Sequence, residues 1–214
     1  MPTQTINRIF CIGKNYAKHV EELAHLGYQA DGQCVIFMKP PSAIVPPGDL
    51  QLPRDRGVVH HEGELVVRLA GLAGNAGVIP ADEAEQYVSH VTLGIDLTLR
   101  ELQTELKKRG ASWEAAKAFD GAAPLGQWQP WPAAGNLQQL EFTLAVNGET
   151  RQHGKTENML FPVTRTIEIL SRSWHLADGD IIYTGTPAGI GALQAGDTVS
   201  LAGAGLGSFE WHCR

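Results

Sequence analysis

Glycine and proline recur along the whole of this sequence, with 24 glycines and 12 prolines among its 214 residues. Both residues interrupt helices and strands and favour tight turns, so their spread predicts many short elements joined by turns. No stretch has the composition of a linker between domains, and we therefore predict a single domain over residues 1–214.

Hydrophobic periodicity predicts which of these elements are strands. The predicted strands are 8–13, 34–39, 62–69, 91–99 and 180–187, with a last pair of strands after 195–197. The segment 140–152 is typical of a hairpin in which Asn147-Gly148 forms a type I′ turn.

Helical spacing and start signals predict helices at 15–26, ended by Gly27, and at 80–88, 101–108 and 162–174. The segment 40–57 is too rich in proline and glycine to predict a regular element. Strands outnumber helices and the two do not alternate regularly. This pattern predicts an α+β, mostly β fold and argues against a doubly wound sheet.

Charge and cysteine content exclude several functional classes. The chain carries 17 Lys and Arg against 23 Asp and Glu, a net charge of −6, without a basic stripe, so we expect no nucleic-acid or anionic membrane partner. It contains no run of about 18 apolar residues that would predict a membrane span. Cys11, Cys34 and Cys213 are odd in number and far apart, which argues against a cysteine zinc site or a disulfide framework and indicates the reducing cytoplasm.

The stretch 60–67, HHEGELVV, carries the most chemical information. In a strand, Glu62 and Glu64 share one face with Cβ atoms roughly 6–7 Å apart, and Asp96 lies on the polar face of another predicted strand. Three carboxylates without cysteine suit a hard cation such as Mg²⁺, Mn²⁺ or Ca²⁺. Spacing alone fits a solvent-facing strand edge at least as well. His60 and His61 are either metal-associated or, as the pattern favours, neutral structural histidines.

The glycine-rich segment 185–191, GTPAGIG, lacks the helical pattern that a dinucleotide-binding fingerprint requires after it. Its backbone N–H groups could still face an anion, because consecutive turn residues often do.

Seven blocks together resemble the fumarylacetoacetate hydrolase family, and the resemblance spans nearly the whole chain. The blocks are GKNYAKHVEE (13–22), FMKP (37–40), HHEGEL (60–65), GIDLTLRELQ (94–103), WEAAKAFD (113–120), VNGETRQ (146–152) and GDIIYTGTPAGIG (179–191). The resemblance is to the short, single-domain members that act on acylpyruvates and oxaloacetate. It implies a mixed β-sandwich roll with short flanking helices, acting as a homodimer.

The resemblance also implies roles for individual residues. It places Glu62, Glu64 and Asp96 on the positions of the metal ligands, with Mg²⁺ or Mn²⁺ as the ion. Lys117 is expected to face the substrate, Arg100 and Gln103 to line the pocket, and Thr186 to lie near the substrate carboxylate. His19 and Glu22 are expected to form a dyad on a helix that closes over the site. Gly63 departs from the aliphatic residue common at its position, which predicts a looser strand between two of the ligands.

The resemblance implies cleavage of the C3–C4 bond of a 2,4-dioxo acid, the reaction of an acylpyruvate hydrolase. A 2-oxo acid chelates one divalent ion, which stabilises an enolate at C3. His19 is the expected base for water, oriented by Glu22 at i+3. Decarboxylation or keto–enol tautomerisation of oxaloacetate needs the same enolate. The alternatives are an isomerase or decarboxylase of an aromatic meta-cleavage oxo acid, and a catalytically inactive, metal-dependent binding protein.

Overall fold

The computed structural model of the protein describes residues 5–26, 32–74, 77–132 and 135–214. The strands are β1 (Ile9–Gly13), β2 (Val35–Lys39), β3 (Ile44–Val45), β4 (Gly48–Leu50), β5 (Val59–His61), β6 (Gly63–Leu69), β7 (Val88–Ile95), β8 (Thr98–Leu99), β9 (Ala123–Pro124), β10 (Gln129–Pro130), β11 (Glu141–Val146), β12 (Glu149–Lys155), β13 (Ile181–Tyr183), β14 (Gly191–Leu193), β15 (Thr198–Gly203) and β16 (Gly207–Cys213). The helices are α1 (Ala17–Glu22), α2 (Arg100–Lys108), α3 (Glu114–Lys117) and α4 (Val163–Ser171), with 3₁₀ turns at Ala24–Leu26, Pro41–Ala43, Ala84–Tyr87 and Thr156–Asn158.

The larger sheet has six strands in the order β10-β7-β6-β13-β1-β2. Its β1 and β13 pair in parallel, and the other neighbours are antiparallel. Because β1 lies between two other strands, its sequence IFCIG is apolar throughout and its first four residues are buried. The predicted α+β, mostly β fold is confirmed.

The second sheet has five strands in the order β12-β11-β15-β16-β4 and packs on the first. Gly63 of β6 faces the side chains of Leu144 in β11 and Leu201 in β15. A Cβ atom at this position would lie 2.9 Å from Leu144 Cδ1 and 3.1 Å from Leu201 Cδ2, so the glycine permits this close packing. Gly63 is buried, and its N–H donates to the Gln152 side chain at 2.9 Å.

The β11–β12 hairpin turns at Asn147-Gly148 as predicted. Both residues have positive φ, 51° and 81°, which is the requirement of a type I′ turn. Helix α2 and helix α4 also lie at their predicted places, with Pro162 as the N-cap of α4.

Three local predictions are wrong, two of them because the segment pairs with a strand distant in sequence. The segment 80–88 forms only the 3₁₀ turn Ala84–Tyr87, since Val88 pairs with Leu69 in the larger sheet. The helix predicted at 15–26 breaks at Leu23 into α1 and a 3₁₀ turn, and Gly27 lies outside the described residues. The segment 40–57 contains β4, which pairs in parallel with β16. Within the described part of the chain, no helix is long and apolar enough to cross a membrane.

Candidate active site

Three buried carboxylates meet where the chain leaves the six-stranded sheet for the small sheet β14-β5-β8. Glu62, Glu64 and Asp96 each offer one carboxylate oxygen, and these oxygens lie within 4.8 Å of one another. All three residues are buried. Burial excludes the alternative of a solvent-facing strand edge, which the spacing alone had left open.

Two of these carboxylates belong to residues that lie between consecutive strands. Glu62 lies between β5 and β6, and Asp96 follows the last residue of β7. The Asp96 N–H donates to the Glu62 carbonyl at 2.8 Å, which ties the two breaks together. The prediction of one continuous strand over 91–99 is therefore wrong at Asp96, because the chain passes there from the large sheet to β8.

Three cationic side chains surround the carboxylates. Lys117 Nζ lies 2.7 Å from Glu62 Oε2 and 2.6 Å from Asp96 Oδ2. Lys39 Nζ lies 2.7 Å from Asp96 Oδ1, and the Arg100 guanidinium contacts Glu62. All of these cations are buried. Such pairing is what makes several ionised groups tolerable in one interior.

Neighbouring positive charge compensates Glu62 more than Glu64, and the pKa values of these two carboxyl groups differ accordingly. Burial favours the neutral form of Glu62, but Lys117 and Arg100 outweigh it and hold its pKa well below the ordinary value. Burial raises the pKa of Glu64 well above the ordinary value, and the charges of Asp96 and Glu62 raise it further. Glu64 receives one backbone hydrogen bond, from the Gly185 N–H at 2.7 Å.

The donor set fits a divalent cation of the Mg²⁺ or Mn²⁺ type. It consists of three buried carboxylates, and hard cations prefer oxygen ligands. Glu64 lacks the cationic side-chain contact that Glu62 and Asp96 have in the structure described, and a divalent ion would supply that compensation. The residues that would hold the ion are Glu62, Glu64 and Asp96.

The predicted dyad lies on α1, beside the same cleft. His19 Nδ1 is 3.4 Å from Glu22 Oε2, and His19 is buried. The Gly189 N–H donates to both oxygens of the Glu22 carboxylate, at 3.1 and 3.2 Å. The glycine-rich segment 185–191 therefore does present backbone N–H groups to anions, and those anions are the chain's own carboxylates, Glu64 and Glu22.

Thr186 joins this segment to the carboxylate cluster. Its hydroxyl donates to the Gly63 carbonyl at 2.9 Å and accepts a hydrogen bond from Gln152 Nε2 at 2.8 Å. Gln152 Oε1 accepts from the Gly63 N–H and lies 3.2 Å from His61 Nδ1. This network assigns the proton of a neutral His61 to Nδ1, in agreement with the structural role that the sequence favoured.

The cleft brings the sequence-predicted residues together. Its lining includes the three carboxylates, His19, Lys117, Arg100, Gln103 and Thr186, with Phe37 and Trp113 on its apolar side. Glu22 lies behind His19. Arg100 and Gln103 bind each other, Nη1 to Oε1 at 2.7 Å, on the first turn of α2. The free volume at the centre of this cleft is about 20 Å³, close to the space of one water molecule.

Two buried polar residues of this site were missed by sequence reasoning. Lys39, in the FMKP block, contacts Asp96 and donates to the Leu97 carbonyl at 3.3 Å and to the Lys117 carbonyl. Gln152 ends the VNGETRQ block. For Lys39 the available signal was a charged residue at the end of an otherwise apolar strand. Gln152 follows the polar alternation of an exposed hairpin, and no local signal distinguishes it.

The chain is similar to a known protein family along almost its whole length. A sequence profile described as the fumarylacetoacetate hydrolase C-terminal family matches residues 8–213. The chain belongs to the fumarylacetoacetate hydrolase family. The resemblance inferred from the seven sequence blocks is thereby confirmed.

Relatives with named activities include a tautomerase, a hydrolase and an isomerase. The oxaloacetate tautomerase of Escherichia coli is 36% identical over 198 residues, which cover 92% of this chain and 88% of that protein. The fumarylpyruvate hydrolase of Pseudomonas aeruginosa, solved with Mn²⁺ and pyruvate, is 34% identical with a TM-score of 0.89 and coverage of 97% and 89%. A 5-carboxymethyl-2-hydroxymuconate delta-isomerase from Mycobacterium smegmatis is 35% identical, with a TM-score of 0.81 and coverage of 97% and 76%. These relatives are enzymes.

Proposed function

We propose that the protein is a divalent-metal-dependent enzyme that acts on small 2-oxo acids through an enolate at C3. The observation that carries the proposal is the buried cluster of Glu62, Glu64 and Asp96, which shares one cleft with Lys117 and His19. Two of the relatives named above support it, since one is an oxaloacetate tautomerase and the other is a fumarylpyruvate hydrolase solved with pyruvate. Keto–enol tautomerisation of oxaloacetate is the first reaction we assign.

The residues of the cleft have separable tasks in this chemistry. When bound, a divalent ion would stabilise the enolate oxygen as a Lewis acid. The Lys117 ammonium neutralises the substrate carboxylate or donates a proton to the enolate. Because Nδ1 of His19 faces Glu22, its Nε2 is left to exchange a proton at the substrate, with Glu22 fixing the ring.

Hydrolysis of the C3–C4 bond of an acylpyruvate is the second candidate. The observation that favours it is the His19–Glu22 pair, because hydrolysis needs a base that activates water and an imidazole oriented by a carboxylate can serve as that base. Decarboxylation of oxaloacetate would pass through the same enolate without that water.

The proposal includes four expectations that rest on the resemblance or on composition. They are Mg²⁺ or Mn²⁺ as the native ion, a homodimer, one catalytic domain over residues 1–214, and a cytoplasmic location. Light scattering on the purified protein measures the oligomeric state directly.

Turnover with controlled metal content tests the function. Protein treated with EDTA and then dialysed is assayed with enolic oxaloacetate and with acetylpyruvate, before and after addition of Mg²⁺ or Mn²⁺, and the products are identified by NMR. We expect activity only with metal and its loss in Glu64→Gln. Full activity after exhaustive chelation, or no turnover of either acid with either ion, would overturn the proposal. Binding without turnover would favour the inactive binding protein.

A further inference from the structure

Lys39 is a buried lysine that lies beside the active cleft without lining it. It ends β2, its side chain is fully enclosed, and it is not among the residues of the described chain that line the cleft. Burying an ammonium group is costly unless it is paired and hydrogen-bonded. Stability alone does not account for a lysine here, because apolar side chains in place of a buried ion pair often leave a protein equally stable.

The contacts of the Lys39 ammonium join two parts of the site. Its Nζ lies 2.7 Å from Asp96 Oδ1, and this carboxylate supplies the opposite charge. The ammonium also donates to the Leu97 carbonyl at 3.3 Å and to the Lys117 carbonyl. One side chain therefore holds a proposed metal ligand, the residue that follows it and the end of α3.

Helix α3 depends on outside contacts for its position. It has four residues, Glu114–Lys117, and a helix of one turn is not stable through its own hydrogen bonds. Lys117, which acts on the substrate in the proposed function, is its last residue. The place of the Lys117 ammonium therefore depends on what anchors its backbone from outside the helix. The hydrogen bond from Lys39 to the Lys117 carbonyl is such an anchor.

The same face of β2 contacts the other end of Lys117. Phe37 and Lys39 are two residues apart in the strand, so their side chains point to one face. The Lys117 Nζ lies 5.0 Å from the centre of the Phe37 ring, which is a cation–π contact. The same Nζ lies 2.6 Å from Asp96 Oδ2. Asp96 thus lies between two lysines, of which Lys39 is held by backbone carbonyls and Lys117 faces the cleft.

We propose that Lys39 is a positioning residue, which holds the Lys117 backbone and the Asp96 carboxylate in a fixed relation and so sets where the Lys117 ammonium meets the substrate. This inference rests on the proposed function, in which Lys117 acts on the substrate. Lys39 itself does not touch the substrate. Its effect on catalysis therefore requires the Lys117 ammonium to be present.

A double-mutant cycle tests this dependence. Lys39→Met, Lys117→Met and the double variant are compared with wild type in saturating Mn²⁺. The two measurements are kcat for enolic oxaloacetate and acetylpyruvate, and the calorimetric dissociation constant of oxalate, which does not react. Oxalate chelates Mn²⁺ itself, so its binding remains measurable in Lys117→Met.

We expect Lys39→Met to lower kcat about 10–100-fold, because a misplacement of roughly 1 Å can cost that much, and to weaken oxalate binding. The double variant should match Lys117→Met within about twofold in both measurements, because no Lys117 ammonium is left to position. The metal-induced melting shift should be retained in Lys39→Met, since Lys39 is not a metal ligand.

Arg56→Met is the matched control. The exposed Arg56 also donates to a carbonyl of α3, that of Ala115, at 2.6 Å. Water can replace this exposed hydrogen bond, so the control should keep the kcat and the oxalate affinity of wild type. If Lys39→Met does not fold, Lys39→Arg takes its place in the cycle. Its planar guanidinium keeps the charge but not the ammonium geometry, so we expect the same non-additive loss.

The outcomes separate this inference from the proposed function. Additive losses in the cycle, or wild-type kcat and oxalate affinity in the Lys39 variant, would overturn the positioning role and leave the proposed function standing. A lost metal-induced melting shift would also overturn it, by placing the effect at the metal ligands. If wild type turns over neither acid, the proposed function fails, and the oxalate cycle alone then decides whether Lys39 acts through Lys117.

Discussion

Replacing Glu64 by glutamine should make the protein more stable in EDTA and nearly insensitive to added metal. Glu64 is buried beside Asp96 and Glu62, and those surroundings disfavour its charged form. The glutamine carbonyl can still accept the Gly185 N–H that the carboxylate accepts at 2.7 Å. The substitution therefore removes a repulsive charge and keeps the hydrogen bond, but it removes one of three metal ligands.

The size of the metal effect follows from binding linkage. At 100 times its dissociation constant, an ion that binds only the folded protein stabilises it by about 2.7 kcal/mol. For a chain of this length, each kcal/mol shifts the melting temperature by about 2–4 °C, so wild type should gain about 5–11 °C. If the variant binds metal about 100-fold more weakly, the same ion concentration adds only about 0.4 kcal/mol, or about 1–2 °C.

The pH dependence in EDTA has a definite sign. The folded-state pKa of Glu64 is raised above that of the unfolded chain, so folding favours its protonated form. This contribution is fully present below the ordinary carboxyl pKa of about 4.3 and is lost as pH rises towards the folded-state value. The stability advantage of Glu64→Gln should therefore be absent near pH 4 and grow with pH.

Thermal melts in EDTA and in a series of Mg²⁺ and Mn²⁺ concentrations measure both effects. Glu105→Gln, the same change on the exposed side of α2, is the matched control and should melt as wild type does under every condition. A wild-type metal shift in Glu64→Gln would refute the ligand assignment. A Glu64→Gln variant that melts several degrees below wild type in EDTA at neutral pH would refute the electrostatic reasoning.

Three further predictions concern other parts of the molecule. His19→Ala should lower acylpyruvate hydrolysis about 10²–10⁴-fold in steady-state assays while the metal-induced melting shift is retained; loss of both would give His19 a structural role. Gly94→Ala should lower the free energy of unfolding in urea by about 1–3 kcal/mol, because the added Cβ would lie 2.7 Å from the Tyr183 ring. Gly13→Ala is the control and should be nearly neutral, because its added Cβ would lie 3.4 Å from its nearest neighbour. Helix α1 packs mainly through a small cluster of its own, in which Val20 and Leu23 contact Ile190. Its backbone amides should therefore gain protection from hydrogen exchange when oxalate and Mg²⁺ are added together. Strong protection without ligand would indicate a rigid helix.

Local sequence patterns were sufficient for elements whose structure depends on near neighbours. The Asn147-Gly148 turn, α2 and α4 lie where turn chemistry and helical spacing placed them. Patterns failed where a distant strand decided the outcome. Val88 joins β7 instead of a helix, and residues 48–50 form β4 only because β16, more than 150 residues later, offers them a partner.

The sequence by itself determined the chemistry that the site offers: carboxylates without cysteine, a histidine three residues before a glutamate, and a lysine in the WEAAKAFD block. Only the tertiary structure decided how these groups are charged and spaced. Lys39 reaches Asp96, and Gln152 reaches Gly63, across separations of 57 and 89 residues. A sequence pattern reports the neighbours within one element, whereas a buried charge is stabilised by whatever side chains the packing of separate elements brings within about 3 Å of it.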